Sequence, residues 1–415
     1  MATAATDLGA VLISPEGTLD PYPVYERMRR ISPVYWSDAV GAWVVTGYPE
    51  VREVYREHKR FSSVGTKTGP IDRLPAEVRG RVPLVAVAET TPALQTSDPP
   101  LHTHHRGLVI RPLIPRKLEQ KRDLFETLCE DLVESLAREE RPELIGQFTT
   151  QLSYASVLSL FGASMDHVPV FAETAAARQA FGRLGGSDPE AALRYERALH
   201  EFRERLESVY DDLRGRDDET IIGALLQARD GDGGLEADEM FAILKTFFAA
   251  GHENIIYSIA TAVLALLRHP EQLALVREDP ALAAAAFEEA VRWDTPHQSN
   301  PRVVRADTEL AGQALAAGDR MLNMKGAANR DPAVWTDPDR FDLTRDQAEP
   351  EGGTVAFGQG VHFCAGAGVA RLEGPIAINA LLTRFPRLRL PDGWTPQWQR
   401  KPGIRMLTEL PLVLG

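Results

Sequence analysis

Two cysteines in 415 residues, Cys129 and Cys364, are too few for a disulfide framework and suit a reducing compartment. No Cys-x-x-Cys pair is present, so zinc ligation of the cysteine-rich kind has no basis. No Gly-x-Gly-x-x-Gly fingerprint occurs either, and the chain is not expected to bind a dinucleotide itself. Positive charge is scarce: the net charge is −13, which disfavours nucleic acid as a partner. The first residues, MATAATDLGAVLISPEG, lack the basic start and apolar run of a secretory signal. The longest apolar stretch, Ile255–Leu267, falls short of the roughly 18 residues of a membrane span. A cytoplasmic protein with no membrane contact is expected. No repeat or linker divides the chain, so residues 1–415 are expected to form one domain.

What is present concentrates in Thr354–Leu372, TVAFGQGVHFCAGAGVARL. Cys364 is bracketed there by Gly358, Gly360, Gly366 and Gly368. Glycines let a backbone turn sharply and lie close to a flat ligand. Ala367–Leu372 reads as the first turns of a helix. A thiol at a helix N-terminus meets positive partial charge and free N–H groups, which favour the thiolate. A thiolate so placed is a strong axial ligand for haem iron. A buried structural cysteine is the simpler reading of an isolated Cys, and His362 with Cys364 offers only two ligands to zinc.

The string Phe357-Gly358-x-Gly360-x-His362-x-Cys364-x-Gly366 resembles the haem-binding loop of the cytochrome P-450 family, the haem-thiolate monooxygenases. Four further motifs follow the family's order. Asp98-Pro99-Pro100-Leu101-His102-x-x-x-Arg106 starts a helix, with Asp98 as a natural N-cap, prolines in the first turn, and His102 and Arg106 on one face. Ala250-Gly251-His252-Glu253-Asn254 sits in the apolar centre of the longest helical pattern, Glu236 to Arg268, which reads as buried on nearly all faces. A buried acid and amide there ask for a reason. Glu289-x-x-Arg292 is spaced for one helix face. Trp335-x-Asp337-Pro338-Asp339-Arg340-Phe341 resembles the family's meander.

The resemblance implies a mainly α fold with a small β region, and haem b (heme b) between the long central helix and the cysteine loop. It makes Cys364 the iron ligand, and Phe357, Gly358 and Gly366 part of the haem cradle. His102, Arg106, Arg302 and His362 would hold the haem propionates. Ala250 and Gly251 would open a groove for dioxygen, with Glu253 and Asn254 handling protons. The family usually has threonine where Asn254 stands, and an amide cannot pass a proton as a hydroxyl does. Thr246, Ala249, Gln298 and Ile404 fall where the family meets substrate, as do His297 and Ser299. Glu289, Arg292 and Arg340 would form a structural triad behind the haem.

The implied reaction inserts one oxygen atom from O2 into a C–H bond of a small, largely apolar organic substrate: a terpenoid, an aromatic or a secondary-metabolite intermediate. Electrons would arrive through a ferredoxin-type protein. The basic stretch carrying Arg106, Arg111, Arg116 and Lys117 is a solvated helix face or a docking patch for that carrier. A peroxide-driven oxygenase, suggested by Asn254, and a non-catalytic haem-binding sensor are the alternatives.

Other expectations concern the fold alone. Val34–Trp36 and Ala42–Thr46 read as strands, residues 50–59 as a helix, and 64–96 as irregular, with Val85–Thr96 a candidate pocket wall. Residues 118–230 read as successive helices interrupted at Gly182, Gly185 and Gly186, with Ser187-Asp188-Pro189 capping the next helix. Asp230-Gly-Asp-Gly-Gly lacks the residues of a calcium loop and reads as a turn. Pro301 leads into a strand ending at Leu310, and Gly374-Pro375 interrupts a helix that otherwise reaches Phe385.

Overall fold

The computed structural model describes every residue except 1–6, 67–69, 184–185, 216–218, 232–233, 347–349 and 351. The expected breaks at Gly185 and across residues 232–233 therefore lie outside the described residues. The chain packs as two compact units: residues 1–63, 119–152 and 254–415 in the first, and 64–118 and 153–253 in the second.

The first unit holds the sheets. Strands β1 (Val34–Ser37), β2 (Ala42–Val45), β3 (Phe61–Ser62), β4 (Ser299–Val304) and β7 (Arg320–Met324) form one sheet in the order β1-β2-β7-β4-β3. β5 (Thr308–Leu310) and β6 (Gln313–Leu315) form a separate hairpin, so the single strand expected from Pro301 to Leu310 is two. The first strand ends where Val304 N–H leaves the ladder to bond Asp319 O. Tyr48, Val51, Val54 and Tyr55, on the helix Tyr48–Arg56, pack against β-strand residues Val45, Phe61, Val304 and Met321. The C-terminal β-like runs are isolated bridges, Arg389 with Val413 and Trp398 with Leu407.

Gly374 and Pro375 do not break their helix, which runs from Ala367 to Arg384. The glycine has a packing cause. A Cβ at 374 would stand 2.3 Å from the Phe287 ring, so its absence lets this helix close on Ala283–Trp293. The expected structural triad is present in altered form. Glu289 and Arg292, both fully buried, pair at 2.7 and 2.8 Å. The second arginine on Glu289 is Arg345, at 3.4 Å. Arg340 supplies its backbone carbonyl to Arg292, while its side chain stays 63% exposed and 3.8 Å from Asp342. Sequence spacing identified the meander, but the tight loop that follows decides which arginine turns inward.

The second unit is helical. The segment expected to be irregular contains the helix Pro83–Thr90. The Glu196 carboxylate accepts N–H groups from Leu84 and Val85 at its start, and Lys245 Nζ donates to Ala88 O near its end. Asp188 caps Pro189–Leu213 as expected, accepting from Glu190 and Ala191. Gly182 lies within the helix Val168–Arg183 rather than interrupting it, and Gly186 takes a positive φ of 77°. The His102 helix starts later than expected, at Leu101; Pro99 and Pro100 precede it, and the Asp98 carbonyl accepts the His102 N–H. Phe171, Phe202 and Phe248 build an aromatic core, with ring centres 4.8–5.9 Å apart.

The helix Ala237–Arg268 matches its expected length. It is long and apolar enough to cross a membrane by length and composition, unlike the shorter run read from sequence, but 61% of its most apolar window is buried inside the fold.

Candidate haem and oxygen site

The cysteine loop is shaped by its glycines and by a buried scaffold beneath it. Gly358 and Gly360 have φ of +69° and +68°, a region that side chains with a Cβ rarely adopt. A Cβ on Gly360 would also meet Tyr55 O at 2.4 Å, so only glycine lets the loop lie on the helix Tyr48–Arg56. The loop closes by a bond from Cys364 N–H to Phe357 O, 2.9 Å. Cys364 stands exposed, two residues before Gly366, the N-cap of the helix Ala367–Arg384. A Cβ at Gly366 would lie 4.0 Å from Sγ, so this glycine stands directly beside the sulfur. Phe357 is braced from behind by the Arg371 guanidinium, 4.9 Å from its ring centre, and Arg371 in turn pairs with Glu288.

The scaffold begins at the buried ion pair. Arg292 Nη1 donates to Asn329 O at 2.8 Å. The Asn329 side-chain oxygen then accepts Val355 N–H at 2.8 Å and Thr354 Oγ1–H at 3.0 Å. Glu289 and Arg292 thus hold the root of the cysteine loop through one amide. An exposed thiol with a glycine beside it, on a loop rooted in a buried ion pair, leaves a sulfur accessible at a fixed place.

His362 belongs to this loop, and Arg302 is tied to it through Tyr55, whose carbonyl lies against Gly360. His362 Nε2 lies 3.0 Å from Ser63 Oγ. Arg302 is buried, donates to Pro301 O and lies over the Tyr55 ring at 5.4 Å. Tyr55 OH donates to Asn300 Oδ1 at 2.9 Å, and burial raises the Tyr55 pKa while Arg302 opposes that rise. Gln298 is buried; its amide N–H groups go to Thr295 O and Tyr22 OH, so its side chain is committed to the protein interior. Ile404 is half-buried and bridges His297, whose pKa falls to about 3 through burial and the nearby Lys325. Asn254 is half-buried, and its carbonyl accepts the Ser258 hydroxyl.

In the second unit the central helix is not buried on all faces, contrary to the reading from its composition. Ala249 and Ala250 are half-buried and Gly251 is exposed, between buried Phe248 and His252. Thr246 is buried one turn earlier. The Glu253 carboxylate is 22% exposed and meets Gln179 Nε2 at 3.1 Å and Arg178 at 3.5 Å. The acid is therefore met by partners on a neighbouring helix. His252 was not singled out from sequence. It stacks on Tyr154 at 4.0 Å, its Nδ1 lies 3.1 Å from Ser153 Oγ, and burial lowers its pKa to about 4. His102 is buried and Arg106 half-buried on the helix Leu101–Val109. In the basic stretch, Lys117 pairs with Glu219 at 2.8 Å and Arg122 with Glu119.

Comparison with known proteins decides the family. The cytochrome P-450 family profile matches residues 191–413. The chain is 31% identical over 411 residues to 6-deoxyerythronolide B hydroxylase of Saccharopolyspora erythraea, covering 95% of this chain and 96% of that one. The chain belongs to the cytochrome P-450 family. It is 33% identical to the cytochrome P-450 monooxygenase PikC of Streptomyces venezuelae, over 98% of this chain and 93% of that protein. The crystal structure of CalO2 superposes with a TM-score of 0.86 at 30% identity, over 97% of this chain and 98% of that one. The mainly α fold with a small β region is the cytochrome P-450 fold, and the chain is a haem-iron monooxygenase acting with O2, a small-molecule substrate and a redox partner.

Proposed function

We propose that Cys364 is the axial ligand of the haem and that residues 1–415 work as a single monooxygenase domain in the cytoplasm. The carrying observation is the exposed Cys364, with Gly366 beside its sulfur, on a loop anchored through Asn329. That neither cysteine is in a disulfide suits the compartment. Bound haem supplies the activation of O2. Arg302 and His362, with His102 and Arg106, would take its carboxylates. Glu253 would deliver protons at its carboxylate, turning from Arg178 and Gln179 to do so, while the Asn254 amide orients water by donating and accepting. Ala249, Ala250 and Gly251, the open stretch of the central helix, would border the reacting substrate, as would Thr246 and Ile404.

The substrate is proposed as a largely apolar secondary-metabolite intermediate hydroxylated at a C–H bond, in keeping with the hydroxylase relative. Arg106, Arg111, Arg116 and Lys117 would steer a ferredoxin-type donor. The test is the reduced carbonyl spectrum of the purified protein. A thiolate-type long-wavelength Soret band that disappears in Cys364→Ser supports the assignment; a histidine-type band, or oxygenation retained by Cys364→Ser, refutes it.

A further inference from the structure

Lys325 opens the short helix Lys325–Ala328 directly after β7, in the run Asn-Met-Lys-Gly-Ala-Ala. Its side chain is buried at 7% exposure, where an ammonium is costly unless it is met by charge or strong acceptors. The ammonium donates to Ala356 O at 3.1 Å, in the root of the cysteine loop. At the other end of the same short helix, Asn329 Oδ1 accepts Val355 N–H, so the lysine and the loop are fixed to each other at both ends. No carboxylate contacts Lys325 among the described residues. Burial lowers its pKa to about 8, the Cys364 thiolate opposes that fall, and Arg302 adds to it. Ala356 precedes Phe357, whose carbonyl holds the Cys364 N–H at 2.9 Å, so the ammonium is anchored on the segment that closes the cysteine loop.

We propose that Lys325 is a positioning residue that holds a fixed positive charge at the root of the cysteine loop, drawing electron density from the Cys364 sulfur and raising the reduction potential of the bound iron. The inference rests on Cys364 being the axial ligand. A cation in a low-dielectric setting acts strongly on a neighbouring anion. Partners beyond the ligand itself are a recognised means of tuning a thiolate-ligated iron.

The experiment uses the haem-loaded full chain and reads the metal, without turnover. Lys325→Met and Lys325→Arg are compared with wild type by spectroelectrochemical titration and by resonance Raman of the Fe–S stretch. Lys325→Met is expected to shift the midpoint to more negative potential and the Fe–S stretch to higher frequency, with Lys325→Arg close to wild type in both. An unchanged Fe–S stretch in Lys325→Met overturns the proposal, even if the midpoint moves, because the charge then acts on some other anion such as a haem carboxylate. Should Lys325→Met not fold, Lys325→Gln, neutral but with an N–H for the Ala356 carbonyl, gives the same two readings with the same expected shifts. A wild-type carbonyl adduct lacking the thiolate-type band refutes Cys364 ligation itself, and is seen before any variant is made.

Discussion

Glu289 and Arg292 illustrate how much a single buried pair can carry. Both are fully buried, bonded to each other and to the backbone that roots the cysteine loop. Removing one charge leaves the other uncompensated in the interior, so Glu289→Gln should destabilise the protein by about 3–5 kcal/mol in a denaturant titration. Arg340→Ala, by contrast, should stay within about 0.5 kcal/mol of wild type, since that side chain is exposed. Arg345→Ala should fall between the two. The pattern Glu-x-x-Arg was readable from the sequence, but the identity of the third arginine was not, because it depends on a turn made by backbone far from the helix. His252 carries a second residue-scale expectation. Its pKa falls from 6.5 to about 4 on folding, so below pH 6.5 the unfolded chain binds a proton that the native state does not. Stability is full above that pH and declines as pH drops from 6.5 to 4, by about 3 kcal/mol at most. His252→Gln should flatten that part of the stability–pH curve measured by urea unfolding.

Among the elements, the helix Ala367–Arg384 depends on the missing side chain at Gly374. A Cβ 2.3 Å from the Phe287 ring cannot be accommodated without moving one helix. Gly374→Ala should therefore cost about 1–3 kcal/mol by overpacking, despite alanine's better helix propensity, and Phe287→Leu should recover part of it in a double-mutant cycle. The helix Pro83–Thr90 is held by Glu196 at one end and Lys245 at the other. Glu196→Ala should leave two N–H groups without their acceptor and speed amide exchange through residues 84–86, with little change elsewhere. That short helix was invisible to sequence reasoning: its apolar run, PLVAVAET, has no helical periodicity of its own, and acceptors more than a hundred residues away complete it.

At the scale of the whole molecule, two proposals concern how oxygen and electrons are handled. If Asn254 is the reason for any reliance on peroxide, Asn254→Thr should raise product formation with O2 and a ferredoxin pair relative to that with hydrogen peroxide, measured on one substrate. If the basic stretch receives the donor, Arg111→Glu should slow reduction and reduce its dependence on ionic strength, whereas Lys117→Ala should do less, because Lys117 is already paired with Glu219. Read alone, the sequence located the cysteine loop and the long central helix by glycine spacing and helical periodicity, and its short motifs carried the family resemblance that implied the fold class, because each of these is contained in a local stretch of chain. The tertiary structure alone decided that Glu253 meets Arg178 and Gln179, that Arg345 rather than Arg340 completes the buried pair, and that Lys325 is buried against the cysteine loop. Each of those depends on which distant segments pack together, and the free energy of a buried charge is set by partners that spacing along the chain does not reveal.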